Sequence, residues 1–172
     1  MDIKKTLQQV SRSHWYWLAY IVGGLSSLVI ALFYQYFLDE LPCVVCIQIR
    51  LWFSLMIIFA TTGLLLREKP WLNFAMQFGL VICSVGLLER SYLLLGTEKG
   101  FIFGDCGFDL GLPGWFAIEQ WLPGIYQIET ACGYTPEILF GVTMAESLIL
   151  MSVLLVIVSA GIAVISLTGN RQ

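Results

Sequence analysis

Residues 41–66 read LPCVVCIQIRLWFSLMIIFATTGLLL, in which two cysteines three positions apart run directly into an apolar stretch whose single charge is Arg50. A helix beginning near Pro42 puts Cys43 and Cys46 one turn apart at its N-terminus, where unsatisfied N–H groups favour a thiolate. Arg50 follows Cys46 by four residues, on the same face and one turn deeper. A permanent cation inside a membrane helix costs about 2.5 kcal/mol or more unless something uses it. The stretch therefore reads as a membrane-spanning helix that carries a reactive dithiol at its start.

The remaining composition agrees. Of 172 residues, 58% are hydrophobic and 12% charged, and the mean hydropathy is +0.82, far from the balance of a soluble domain. Four segments reach the roughly 20 apolar residues that a helix needs to cross a bilayer. They run about 17–38, 47–66, 72–95 and 145–167. The first has no small-x-small cleavage site after it and reads as a retained helix rather than a signal peptide. The predicted fold is an all-α, four-helix membrane bundle in a single domain over residues 1–172, with an outer loop over about 96–144.

Lys4, Lys5, Arg12, Arg67, Lys69 and Arg171 fall on one side of this threading, and Lys99 alone on the other. Basic residues mark the cytoplasmic face, so both termini are predicted to be cytoplasmic and the cysteine-bearing connections to lie outside. The outer connections hold acidic residues, among them Asp39, Glu40, Glu98, Asp109, Glu119, Glu129 and Glu137, and a net charge of -3 makes nucleic acid an implausible partner. His14, the only histidine, reads as part of an interfacial anchor with Trp15 and Tyr16. Cys83 reads as a small core side chain. Glu89 and Arg90 either join an outer site or pair with each other. In the outer loop, Trp115, Ile118 and Leu122 share a helical face, and a short helix there is expected to lie on the membrane surface.

Four of five cysteines, Cys43, Cys46, Cys106 and Cys132, fall in outer connections. Structural disulfides, a zinc site built from all four thiols within a non-catalytic scaffold, and a relay of thiol–disulfide exchange are the alternatives. The relay fits best, because one pair is fixed at the membrane and the other is carried on a long Gly-flanked loop. No nucleotide-binding glycine motif is present, and a single histidine makes haem unpromising. A lipid-soluble quinone remains as electron acceptor, with Cys46 as the facing thiol and Arg50 stabilising the charge that develops on its oxygen.

Pro42-Cys43-Val44-Val45-Cys46 opening the second helix, Arg50 four residues on, and two cysteines in the loop before the last helix together resemble the DsbB family of bacterial inner-membrane thiol:quinone oxidoreductases. The order of these features separates it from the vitamin K epoxide reductase family, whose C-x-x-C follows the loop cysteines. The resemblance implies that Cys106 and Cys132 form a loop disulfide that oxidises a periplasmic thioredoxin-fold partner of the DsbA type, with Cys106 carrying the mixed disulfide. It further implies that the Cys43–Cys46 pair reoxidises the loop through a transient Cys43–Cys132 bond and passes electrons to ubiquinone or menaquinone beside Arg50. Family members commonly carry a polar or acidic residue immediately before the arginine; this chain has Ile49 there and Gln48 before it.

Overall fold

A computed structural model describes residues 13–102, 109–130, 137–139 and 141–169. Four long helices form the body: α1 (His14–Phe37), α2 (Val44–Leu66), α3 (Pro70–Glu98) and, last in the chain, α6 (Met144–Gly169). Each is long and apolar enough to cross a membrane, and the protein is a multi-pass α-helical membrane protein. Between α3 and α6 lie two single-turn helices, α4 (Ile118–Trp121) and α5 (Pro123–Tyr126), and a small antiparallel hairpin of β1 (Glu137–Leu139) and β2 (Val142–Thr143).

All four expected helices are present, with ends that differ by up to three residues, and local chemistry explains the boundaries. Ser13 accepts a hydrogen bond from the Trp15 N–H at 3.3 Å, so α1 starts at His14 instead of Trp17. Cys43 is the N-cap of α2, its sulfur accepting from the Cys46 N–H at 3.4 Å, so that helix starts three residues before Ile47. Pro70 occupies the first turn of α3, where its missing N–H costs nothing. Thr143 and Glu146 cap α6 reciprocally, the Thr143 N–H donating to Glu146 at 3.2 Å and the Glu146 N–H to Thr143 Oγ1 at 3.3 Å. Lys99, at the end of α3, pairs with the same Glu146 at 2.9 Å and ties the outer ends of α3 and α6 together.

Helices adjacent in sequence pack side by side, α1 on α2, α2 on α3 and α3 on α6, whereas α1 and α6 scarcely meet. Small residues decide how close these neighbours come. Phe59 and Trp52 of α2 lie over Gly79 and Gly86 of α3, respectively. The seven-residue spacing repeats on both helices in opposite order, as antiparallel packing requires. Trp17, fully buried, covers Gly63. Of the Gly23-Gly24 pair, Gly24 faces Ile57 of α2 while Gly23 has open space beside it. Cys83 is buried in α3, as its position between apolar neighbours predicts.

The outer loop departs from expectation in one respect. A single amphipathic helix carrying Trp115, Ile118 and Leu122 on one face is replaced by a turn near Pro113 followed by α4 and α5. Pro123 drives the preceding Leu122 to φ −134° and ψ 63°, which breaks the helix between them. Trp115 lies ahead of α4, and Trp115, Trp121 and Leu122 are all exposed, so an apolar surface persists without the continuous helix.

The aromatic-over-glycine contacts predict that Gly63→Val lowers the thermal unfolding midpoint in detergent by several degrees, since a side chain there runs into the Trp17 ring and overpacking costs about 1–3 kcal/mol. Gly23→Ala should leave it unchanged; equal midpoints for all three proteins would contradict this packing.

Candidate redox site

The outer end of α2 gathers the groups singled out in the sequence. Cys43 is buried and Cys46 half-buried, with their sulfurs 3.0 Å apart. Because Cys43 caps the helix and Cys46 sits in its first turn, both sulfurs lie at the positive end of the α2 dipole. Cys106 and Cys132, the other pair expected in a relay, lie outside the described residues. The chain leading towards Cys132 is nonetheless attached here: the Glu129 and Thr130 N–H groups donate to the Pro42 carbonyl at 3.0 and 3.4 Å, and Thr130 forms a parallel bridge with Cys43.

Arg50 is only 5% exposed, and its guanidinium has three hydrogen-bond acceptors. Nη1 donates to Gln35 Oε1 at 2.6 Å and to the Ile125 carbonyl at 2.9 Å, and Nη2 donates to the Ala31 carbonyl at 3.1 Å. Two acceptors come from α1 and one from α5, so a single side chain of α2 joins the first helix to the outer loop. None of the three is charged, and among the described residues no carboxylate lies within ion-pair distance of Arg50.

The short α5 is held at three consecutive residues. Tyr36 of α1 donates to the Gly124 carbonyl at 2.6 Å, Arg50 donates to Ile125 as above, and the Tyr126 hydroxyl lies 2.6 Å from Ser54 Oγ. Ser54 gives its one proton to the Arg50 carbonyl at 2.9 Å, so Tyr126 is the donor to Ser54. A turn too short to be stable alone is thereby fixed against α1 and α2.

Cys46 and Arg50 also line one cavity of about 510 Å³, which lies where α1 and α6 fail to close against each other. Ile30, Phe53, Leu148 and Met151 contribute apolar wall, and Asp39 and Glu40 stand with Pro42 at the outer rim. Asp39 has a φ of +53°, a left-handed conformation that aspartate tolerates better than most residues, and it turns the chain from α1 towards Pro42.

The residues left open by the sequence have distinct places. Gln48 bridges three elements, donating to the Leu110 carbonyl at 3.1 Å and accepting from Arg90 Nη1 of α3 at 3.1 Å. Arg90 also pairs loosely with Glu89 at 3.8 Å, as one of the two alternatives expects, and neither residue lines the cavity. Ile49 is buried and borders the cavity. Sequence reasoning missed Gln35, Tyr36, Ser54 and Tyr126. For Gln35 a signal existed, since a polar side chain in the apolar run of α1 calls for a partner; for the others no local pattern distinguishes them from packing residues.

If the α5 attachment is as described, Tyr126→Phe removes one buried hydrogen bond, worth about 0.5–1.5 kcal/mol, and should speed proteolytic cleavage of the outer loop several-fold with little change in global melting. An unchanged cleavage rate would show that this bond does not hold the loop.

Comparison with known proteins places the chain in a family. The family model described as "Disulfide bond formation protein DsbB" matches residues 13–162. The chain is 30% identical over 151 residues to Disulfide bond formation protein B 2 of Pseudomonas aeruginosa, covering 86% of this chain and 89% of that protein. It is 28% identical to Disulfide bond formation protein B of Shewanella frigidimarina, over 84% and 86% of the two chains. The corresponding protein of Haemophilus influenzae is 26% identical over 96% and 94%. With the match running from the start of α1 into α6, through the C-x-x-C helix and its arginine, the chain belongs to the DsbB family of disulfide bond formation proteins.

Proposed function

We propose that this protein is a thiol:quinone oxidoreductase that makes disulfides de novo in the bacterial inner membrane, oxidising a periplasmic thioredoxin-fold dithiol partner of the DsbA type. The observation that carries the reading is that Cys46 and Arg50 border the same largely apolar cavity at the outer end of α2. In net terms, a partner dithiol and a quinone become a partner disulfide and a quinol, with two electrons and two protons transferred.

Exchange begins at the loop disulfide between Cys106 and Cys132. A partner thiolate attacks Cys106 and releases Cys132 as a thiolate. The second partner thiol then attacks its own mixed disulfide, which leaves the partner oxidised and the loop reduced. Cys132 attacks Cys43 of the Cys43–Cys46 disulfide, and Cys46 leaves as a thiolate beside Arg50 and the α2 N-terminus, both of which stabilise that charge. Cys106 resolves the Cys43–Cys132 bond, restoring the loop disulfide and leaving Cys43 and Cys46 reduced. The attachment of Glu129 and Thr130 to Pro42 supports the Cys43–Cys132 step, because only two Cα steps of about 3.8 Å each separate Thr130 from Cys132.

A quinone suits the cavity. Its volume of about 510 Å³ falls within the roughly 300–1,000 Å³ typical of small-molecule sites, the walls are largely apolar, and the cavity lies between two helices long and apolar enough to cross a membrane. Quinone supplies the two-electron sink; Arg50 supplies a fixed positive charge where negative charge builds up during transfer. Arg67 and Lys69 lie at the opposite end of α2 from the cysteines, which supports cytoplasmic termini and a periplasmic redox end.

Purified, reduced protein given a soluble quinone should turn it over, and Cys46→Ser should not; turnover by that variant at the wild-type rate would overturn the proposal. Arg50→Ala should slow quinone reduction by about 10²-fold, the usual cost of removing one preorganised electrostatic donor, while dithiol exchange with the partner protein continues. Unchanged quinone kinetics would remove the role given to Arg50.

A further inference from the structure

The guanidinium of Arg50 is almost wholly buried, yet among the described residues its hydrogen-bond partners are all neutral: Gln35 Oε1 and the main-chain carbonyls of Ala31 and Ile125. A buried arginine is more often matched by a carboxylate, which satisfies its donors and cancels its charge together. Here the two roles are separated. The shortest contact, 2.6 Å, comes from a side chain that is itself only 8% exposed and can accept without carrying charge. Asp39 and Glu40, which line the cavity, form no ion pair with Arg50, and Glu129 acts on its charge without approaching to ion-pair distance.

We propose that Gln35 is a positioning residue of the redox site, a neutral acceptor that fixes the Arg50 guanidinium at the cavity wall while adding no negative charge of its own beside Cys46. Two consequences differ in kind. Direction matters because Nη1 is shared between Gln35 and Ile125 while Nη2 is held by Ala31, so losing Gln35 frees the guanidinium to tilt away from the cavity. Charge matters because a carboxylate in the same place would keep the geometry and neutralise the cation, weakening its effect on both the Cys46 thiolate and an electron-accepting oxygen.

The inference rests on the quinone reading above, and two near-isosteric replacements test it separately from that reading. Gln35→Met keeps the length and removes the acceptor; Gln35→Glu keeps the acceptor and adds the charge. In reduced protein at one mildly acidic pH, alkylation of Cys46 by iodoacetamide, followed peptide by peptide, should be about tenfold slower in Gln35→Glu than in wild type, as expected for compensating a nearby unit charge in a partly buried site. In Gln35→Met it should stay within about twofold of wild type, while the KM for a soluble quinone rises about tenfold, a loss of roughly 1.4 kcal/mol of binding. A purely structural glutamine would instead lower the melting temperature of both variants and leave Cys46 alkylation untouched. Equal alkylation rates in wild type and Gln35→Glu would overturn the charge claim, and a wild-type KM in Gln35→Met would overturn the positioning claim. Failure of the wild-type protein to reduce quinone would refute the underlying function, while the alkylation comparison would still decide whether the neutrality of residue 35 matters to the Cys46 thiolate.

Discussion

A cation placed inside an apolar bundle must be satisfied on every side, and this requirement at Arg50 organises the outer half of the molecule. Its three acceptors come from α1 and from the short α5, so the first helix, the second helix and the outer loop meet at one side chain. Without those partners the guanidinium would be an isolated charge in hydrocarbon. With them it becomes a rigid joint, and its own backbone carbonyl passes the connection on through Ser54 to Tyr126.

The two ends of the bundle consequently do different work. Towards the inner end, α1, α2 and α3 meet through large aromatic side chains laid over glycines, Trp17 on Gly63 and Phe59 on Gly79, a dry interface whose strength comes from close approach. Towards the outer end, hydrogen bonds made by Gln48, Arg50 and Ser54 add to such packing and attach loop segments to α2. The gap between α1 and α6 lies at this polar end, next to the dithiol. The function proposed above requires access for a lipid-soluble acceptor and for a loop, and incomplete closure here would provide both.

Much of this was legible in the sequence because its causes are local. Hydropathy alone locates four spans, and the spacing of Cys43, Cys46 and Arg50 on a helix follows from 3.6 residues per turn. The helix starts were less legible, since Ser13 and Cys43 act as caps through side-chain geometry that hydropathy does not register. The break between α4 and α5 was readable in principle from Pro123, but the helical periodicity of Trp115, Ile118 and Leu122 outweighed it. Gln35 stood out as a polar residue in an apolar run, but its pairing and that of Tyr126 were beyond reach for a different reason. Their partners, Arg50 and Ser54, are 15 and 72 residues away in the chain, and such pairings exist only once the helices have been set side by side. The same distance in sequence explains why the neutral hydrogen-bond partners of Arg50 could not be anticipated from Ile49 and Gln48.

The central claim is that the cavity beside Cys46 and Arg50 receives the electron acceptor. Photo-crosslinking of the purified protein with an azido-quinone, with the labelled peptides identified by mass spectrometry, tests it most directly. The label should fall on α1 around Ile30, on α2 around Phe53 and on α6 around Met151, all of which line that cavity, and excess unlabelled quinone should suppress it. Saturable labelling confined to the outward face of α3, around Ile82 and Val85, with none on those three segments, would contradict the account.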